Sequence, residues 1–411
     1  MLAYAKKQLQ IDGIAAEELA RRFKTPLYVY SKKTLQERFW SLKAAFRRRE
    51  PLICYAMKAN SNRSVCRTLA AEGAGVDIVS GGELLRALAA GFQPSRIVFS
   101  GVGKTREELA LAIRRGVLTI NVESMQELEA LEDVARRSRR PAPVSVRLNP
   151  NIDAKTHSHI TTGRADNKFG VELKEAMELY RKAHRSRWLE VKGIQCHIGS
   201  QITSVGPYRA SARSVAKTIK SLEAMGIVLS LIDLGGGMGI NYDKEAPLEL
   251  GALADVVVDC LKPWPKARLL LEPGRFLTAE AGLLLTRVLY RKETSKRRFI
   301  IVDAAMNDLA RPVLYNAYHP ILRADGRKDH EEIVDVVGPV CESGDFLAKQ
   351  RKLPRCKPGD LLAVLKAGAY GFAMSSQYNS RPRAAEVMLE EGKAKVIRRR
   401  ETLSDITRME T

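Results

Sequence analysis

Between residues 51 and 275 the chain alternates short apolar runs with stretches of helical periodicity, eight times over. The runs are PLICYAMKAN, AGVDIVSGGEL, RIVFSG, LTINVES, PVSVRLNP, VKGIQCHIGS, LSLIDLGGG and ARLLLEPGR, and nearly all end in polar residues or glycine. Residues 61–72, 84–90, 106–115 and 125–138 space their apolar positions as helices do. Strand followed by helix eight times predicts a (β/α)8, TIM-like barrel, whose chemistry sits at the carboxyl ends of the strands. On that reading one pocket contains Lys58, Ser80, Glu123, Asn149, His197, Gly235, Gly236, Gly237, Glu272 and Arg275.

The rhythm differs on either side. Residues 15–23 read as a short helix, residues 25–30 as a strand, and residues 33–48 as a helix preceding the first barrel strand. After Arg275 come β-rich runs at 282–290, 298–303, 332–340 and 360–369, then a hairpin turning at 391–393. The expected division is a barrel over residues 31–280 and a mainly β domain from residues 1–30 and 281–411, the N-terminal strand joining it.

Composition adds exclusions. With 411 residues, 45% hydrophobic and 28% charged, the chain reads as an ordinary globular protein. No apolar stretch reaches the ~20 residues of a membrane span, and the N-terminus has no apolar core of signal-peptide length. Six scattered cysteines suit reduced thiols, so a cytoplasmic location is expected, without membrane contact. The net charge of +21 invites a nucleic-acid partner. The basic residues are nevertheless spread along helices and tails, with no aromatic-interleaved stripe, and no nucleic-acid partner is expected.

Two glycine-rich segments resemble nucleotide loops and fail on detail. GVGKT at 101–105 lacks the first glycine of a P-loop, and GGGMG at 235–239 lacks the last glycine of a dinucleotide fingerprint. His157 and His159 in THSH have metal-pair spacing, but no partner cluster lies near them in sequence, so no metal is expected.

Three strand ends carry candidate chemistry, each with a plainer reading beside it. Lys58 is either a snorkelling surface lysine or, desolvated in a barrel mouth, an amine suited to Schiff-base chemistry. The three glycines at 235–237 form either a tight turn or a phosphate cradle of backbone N–H groups. Glu272 and Arg275 in EPGR are either a surface ion pair or groups turned into the pocket by Pro273 and Gly274. A lysine, a phosphate cradle and a carboxylate together meet the needs of pyridoxal 5′-phosphate.

The ordered set is more specific. YAMKAN, GVDIVSGGEL, RLNPNIDAKTHSHITTGRADNKFG, HIGSQ, DLGGGMGI, EPGR, CESGD and GAYGFAMSSQYNSRPR run from about Gly13 to Thr402 and resemble the diaminopimelate decarboxylases. That family belongs to the alanine-racemase-like fold group of pyridoxal-phosphate decarboxylases. The resemblance implies decarboxylation of meso-2,6-diaminoheptanedioate to L-lysine and CO2, the last step of lysine biosynthesis. It implies Lys58 as the Schiff-base lysine, His197 stacked on the ring and Glu272 at the pyridine nitrogen. Ser200, Gly235, Gly236, Gly237, Gly274, Arg275 and Tyr370 would lie around the phosphate. Arg275, Arg311 and Tyr315 would take the substrate's distal carboxylate, with Tyr370 also lining the substrate site. Cys341 would reprotonate the substrate carbon and Glu342 would hold the distal ammonium. Both would reach across from a partner, so the resemblance implies a homodimer with shared active sites. The rival within this chemistry is a decarboxylase of D-lysine, D-ornithine or another basic amino acid. A non-catalytic pyridoxal-phosphate-binding relative is the alternative outside it.

Overall fold

The computed structural model describes residues 1–5, 7–152, 167–327 and 330–411. They form two compact units: residues 38–240 with 246–276, and residues 1–37 with 241–245 and 277–411. Among the described residues no helix is long and apolar enough to cross a membrane.

The first unit is the barrel. Its strands are Leu52–Ala56 (β1), Gly75–Ile78 (β2), Ile97–Phe99 (β3), Thr119–Val122 (β4), Ala142–Arg147 (β5), Leu189–Gln195 (β6), Leu231–Asp233 (β7) and Arg268–Leu271 (β8). Every neighbouring pair is parallel, and β8 closes on β1 through Leu270 opposite Leu52 and Leu271 opposite Ile53. Strands buried on both faces favour continuous apolar runs, as most of these are; β6 is the exception, with Glu190 and Lys192 in its first half. Towards their N-terminal ends Leu52, Cys54, Val98, Leu231 and Leu270 pack into one cluster that fills the barrel floor. Burying each leucine there contributes about 1.5–3 kcal/mol. The polar strand ends are thereby left at the opposite mouth.

The helices between strands begin at caps written in the sequence. Ser80 accepts from the Glu83 N–H at the start of Gly81–Ala90, and Ser124 accepts from Glu127 N–H at the start of Met125–Ser138. Thr105 and Glu108 form a reciprocal capping box on Arg106–Arg115. Gly91 and Gly116 end two of these helices in the left-handed conformation that a side chain resists. The P-loop lookalike thus has a structural role. Its Thr105 caps a helix, and its Lys104, almost fully buried, ties Gly101 O (2.5 Å), Asn121 O (2.7 Å) and Glu127 (2.6 Å) together.

The second unit is built on the long strand Gly282–Glu293. It pairs antiparallel with Leu27–Ser31, Leu361–Val364 and Arg298–Val302. Leu27–Ser31 runs parallel to Ala385–Glu390, which turns through Glu391 and Gly392 into Lys393–Arg398. Both turn residues have positive φ, 49° and 72°, as a tight hairpin turn requires. The strand read at 25–30 therefore does enter the β unit. Its core joins Leu27, Val29, Leu283, Leu285, Ala363 and Val387. Phe346–Pro354, paired with Glu331–Val337, is a strand that apolar patterning does not announce. Its centre reads KQRK because it forms the outer end of the sheet, where charge discourages further pairing.

Candidate active site

Polar side chains at the barrel mouth come from almost every strand. Lys58, in a turn just beyond β1, places Nζ 2.6 Å from Asp77 Oδ2 on β2. The Asp77 side chain is fully buried, whereas that of Lys58 keeps 41% of its surface exposed, so the amine end is reachable. Arg147 at the end of β5 donates to Glu123 Oε1 (2.9 Å). Glu123 also accepts from the backbone N–H of Gly101 (3.2 Å) and Gly170 (2.9 Å). On β6, Gln195 Nε2 donates to Glu272 Oε2 at 3.0 Å. On β7, Asp233 Oδ1 accepts from Gly235 N–H at 2.8 Å.

Glu272 is buried at the end of β8, and its Oε1 has no hydrogen-bond donor among the described residues. Burial first, then the neighbouring Asp233 and Asp77 carboxylates, push its pKa well above the ordinary carboxylate range. His197 behaves oppositely. Burial, with Arg147 and Lys58 nearby, holds its imidazole pKa well below the usual value. Its Nδ1 accepts from Gly236 N–H at 3.1 Å, a bond available only to a ring unprotonated at that nitrogen.

The glycine turn after β7 is required sterically. A Cβ on Gly236 would lie 2.0 Å from Glu272 O, and one on Gly237 2.2 Å from Gly199 O. Two of the three N–H groups, those of Gly235 and Gly236, point at Asp233 and His197. Glycine here permits close approach of three strand ends, beyond any service to an anion. We expect Gly236→Ala to lower stability by about 1–3 kcal/mol, since backbone must shift to admit the methyl. An unchanged urea midpoint in that variant would contradict this reading of the turn.

Arg275, buried beyond β8, donates from Nη2 to Ser200 Oγ at 3.0 Å. Gly274 lets that turn pass within 3.1 Å, from an added Cβ, of the Ala56 and Ala59 methyls. Two members of the expected pocket have other duties. Ser80 caps a helix, and Asn149 donates to Phe169 O (3.0 Å) while accepting from Asn151 N–H (3.0 Å). His157 and His159 lie outside the described residues.

The remaining expected residues belong to the second unit. Arg311 is buried there, donating to Tyr242 Oη (3.0 Å) and to His319 Nε2 (2.8 Å), with its guanidinium over the Tyr242 ring. Tyr315 closes the short helix Arg311–Tyr315. Tyr370 holds a φ of +56°. Cys341 is exposed, unlike the buried Cys54, Cys66, Cys196 and Cys356, so it is no core thiol. Its N–H donates to Asn379 Oδ1 at 2.8 Å, and Glu342 is hydrogen-bonded to the Tyr378 phenol.

The barrel-mouth set fits pyridoxal phosphate. It offers a reachable lysine amine, a buried carboxyl oxygen awaiting a donor, a neutral imidazole and an arginine–serine pair for an anion. A family model described as the pyridoxal binding domain of pyridoxal-dependent decarboxylases matches residues 32–279. A diaminopimelate decarboxylase of Aquifex aeolicus is 48% identical over 404 residues, 97% of this chain and 95% of that protein. The chain belongs to the diaminopimelate decarboxylase family. A crystal structure of the Helicobacter pylori family member complexed with L-lysine superposes with a TM-score of 0.93 at 47% identity, covering 96% of this chain and 98% of that one. A Vibrio vulnificus lysine/ornithine decarboxylase complexed with putrescine shares the fold at 23% identity, with a TM-score of 0.80 over 91% of this chain and 97% of that one.

Motif reading passes over Asp77, Arg147, Gln195 and Asp233. Each is a polar residue with an apolar neighbour on both sides in a parallel strand, in GVDIV, VSVRL, GIQC and LIDL. In a closed barrel such a residue is buried on either face and must find a partner, so its isolation among apolar neighbours is itself the signal.

Proposed function

We propose that this chain decarboxylates meso-2,6-diaminoheptanedioate at its D-configured carbon, giving L-lysine and CO2, with pyridoxal 5′-phosphate as cofactor. The observation that carries the reading is identity of 44–48% with diaminopimelate decarboxylases over nearly the whole chain. When bound, the cofactor supplies an electron sink for the pair left behind by the departing carboxyl group.

The chain's own residues set up that chemistry. Lys58 offers the amine to which the cofactor is held, and Asp77 fixes its position. Glu272 would be the carboxyl group at the ring nitrogen, where it would favour the protonated, electron-poor ring. His197, kept neutral, can lie against the ring face without repelling a cation. Ser200 and Arg275 present a hydroxyl and a guanidinium to the phosphate, and Arg275 also serves the substrate carboxylate; Gly235, Gly236, Gly237, Gly274 and Tyr370 complete this region in the proposal.

For the substrate's far end we assign Arg311 and Tyr315 to the carboxylate and Glu342 to the ammonium, on the family resemblance. Planar guanidinium suits carboxylate, and a basic amino acid lacking that carboxylate would leave it unpaired. Cys341 is the proposed proton donor to the substrate carbon; its exposure supports a role outside its own core. A homodimer with shared sites follows from that assignment. Subunits carrying Lys58→Ala and Cys341→Ala should regain part of their activity when mixed. Verified mixed dimers with no recovery would make each chain self-sufficient. A cytoplasmic setting is supported by six unpaired cysteines.

The decisive assay follows CO2 and lysine by mass from meso-diaminopimelate, with and without added pyridoxal phosphate. Turnover of D-lysine or D-ornithine with none of diaminopimelate would transfer the chain to the basic amino-acid decarboxylases.

A further inference from the structure

The chemistry at the ring nitrogen uses Glu272 and leaves the carboxyl group beside it, that of Asp233, without a part. Asp233 ends β7, Glu272 follows β8, and the two strands are neighbours paired in parallel. Both side chains are buried. Each has one oxygen accounted for: Asp233 Oδ1 accepts from Gly235 N–H, and Glu272 Oε2 accepts from Gln195 Nε2. Each has one oxygen without a donor among the described residues, Asp233 Oδ2 and Glu272 Oε1. The two carboxyl groups lie within hydrogen-bonding reach of each other. Two ionised carboxylates cannot satisfy one another, because both only accept. A single proton between them supplies the missing donor for both.

We propose that Asp233 and Glu272 share one proton as a carboxyl pair, and that Asp233 is thereby a positioning residue for the carboxyl that faces the cofactor ring nitrogen.

The surroundings agree in charge. Facing the pair are Cys54 and Lys58 from β1 and its turn, Asp77 from β2, Arg147 from β5 and Gln195 from β6, with His197 just beyond β6 bonded to the neighbouring Gly236. Arg147 is engaged with Glu123, His197 is neutral, and burial with nearby carboxylates pushes the Cys54 thiol up, leaving it uncharged. Three carboxyl groups therefore confront the single ammonium of Lys58. Ionising all three would place two uncompensated negative charges in a buried site, whereas one retained proton leaves a single negative charge. Burial raises both members of the pair, Asp233 to about 6 and Glu272 further, in keeping with retention at neutral pH. The pair as a whole keeps one negative charge, and the Glu272 carboxyl is held by Gln195 on one side and Asp233 on the other. The same Asp233 grips Gly235, so the glycine turn and the ring-facing carboxyl are set by one residue.

The pair is a property of the cofactor-free protein, and its test does not depend on turnover. Infrared spectra of the cofactor-free chain at about pH 8, where a free carboxyl is fully ionised, should contain a protonated-carboxyl C=O band. Subtracting variant spectra removes any signal from Glu83 and Asp308, each raised by burial to about 7. The band should vanish in both Asp233→Asn and Glu272→Gln, since an amide donates to the surviving carboxylate and no proton need be held. Absence of the band in the wild-type chain, or its survival in Asp233→Asn, overturns the shared proton; in the second case Glu272 is protonated by burial alone. As a second readout, Asp233→Asn should retain pyridoxal-phosphate affinity within a few fold because its amide reproduces both bonds. Asp233→Ala, which keeps neither, should weaken it at least tenfold. Equal affinity in the two variants would deny Asp233 its positioning role. If the wild-type chain shows the band but binds no pyridoxal phosphate, the pair stands and the enzymatic reading falls.

Discussion

Lys58→Ala is expected to stay colourless in excess pyridoxal phosphate and to lose at least about 10³-fold in kcat, roughly 4 kcal/mol of barrier. The loss has two physical sources that one substitution cannot separate. The amine that holds the cofactor disappears, and Asp77, fully buried, loses the cation 2.6 Å away. An uncompensated buried carboxylate is destabilising in its own right, so a fall in activity alone could report a damaged barrel. Lys58→Arg resolves this. Its guanidinium keeps a positive charge against Asp77 but is never deprotonated and offers no nucleophilic amine. The arginine variant should therefore fold with a near-normal melting temperature, remain colourless and stay inactive. Visible absorbance titrated with pyridoxal phosphate, read beside thermal unfolding, makes the comparison. A coloured, active Lys58→Arg protein would remove Lys58 from the centre of the chemistry.

The barrel was legible in the chain because its strands are buried on both faces and its helices on one. Continuous apolar runs and 3.6-residue periodicity are the direct imprint of those two burials, and Ser124 and Thr105 mark helix starts as well. Phe346–Pro354 was illegible for the complementary reason: an outer strand is chosen for charge, and KQRK carries no apolar alternation. At the site, the strand-end rule located Lys58, His197 and Glu272, whose side chains do reach the barrel-mouth network. It also drew in Ser80 and Asn149, because a hydroxyl or amide at a strand end serves a helix cap or a loop as readily as a pocket. It missed Asp77, one residue before its strand end, and Asp233, the last residue of its strand, because apolar neighbours on both sides hide them inside apolar runs. Their roles depend on pairing across neighbouring strands, Asp77 with Lys58 and Asp233 with Glu272, and register across a barrel is not written in any one segment.

Glu272→Gln isolates the charge at the ring nitrogen. The substitution preserves shape: an amide oxygen can still accept from Gln195, and the amide N–H can donate towards Asp233, so neither buried neighbour is left worse satisfied. What is lost is an ionisable carboxyl at the ring nitrogen: the amide cannot carry the negative charge that favours a protonated ring, which is then confined to Asp233. The barrel should fold, pyridoxal phosphate should still attach at Lys58, and the visible band should persist. Turnover, however, depends on how well the ring accepts electrons as the carboxyl group leaves. Removing one preorganised electrostatic partner of a developing charge costs about 10²–10³-fold, or about 2.7–4 kcal/mol. The fall should lie in kcat and leave KM nearly unchanged, because the charge acts on the reacting bond and the proposed distal contacts are elsewhere. Steady-state CO2 release from meso-diaminopimelate measures both constants. A raised KM at normal kcat would instead place Glu272 among the substrate contacts. Normal values for both would mean that the buried carboxyl has no part in making the ring electron-poor, and that the acidic cluster at the barrel mouth serves only to orient Lys58.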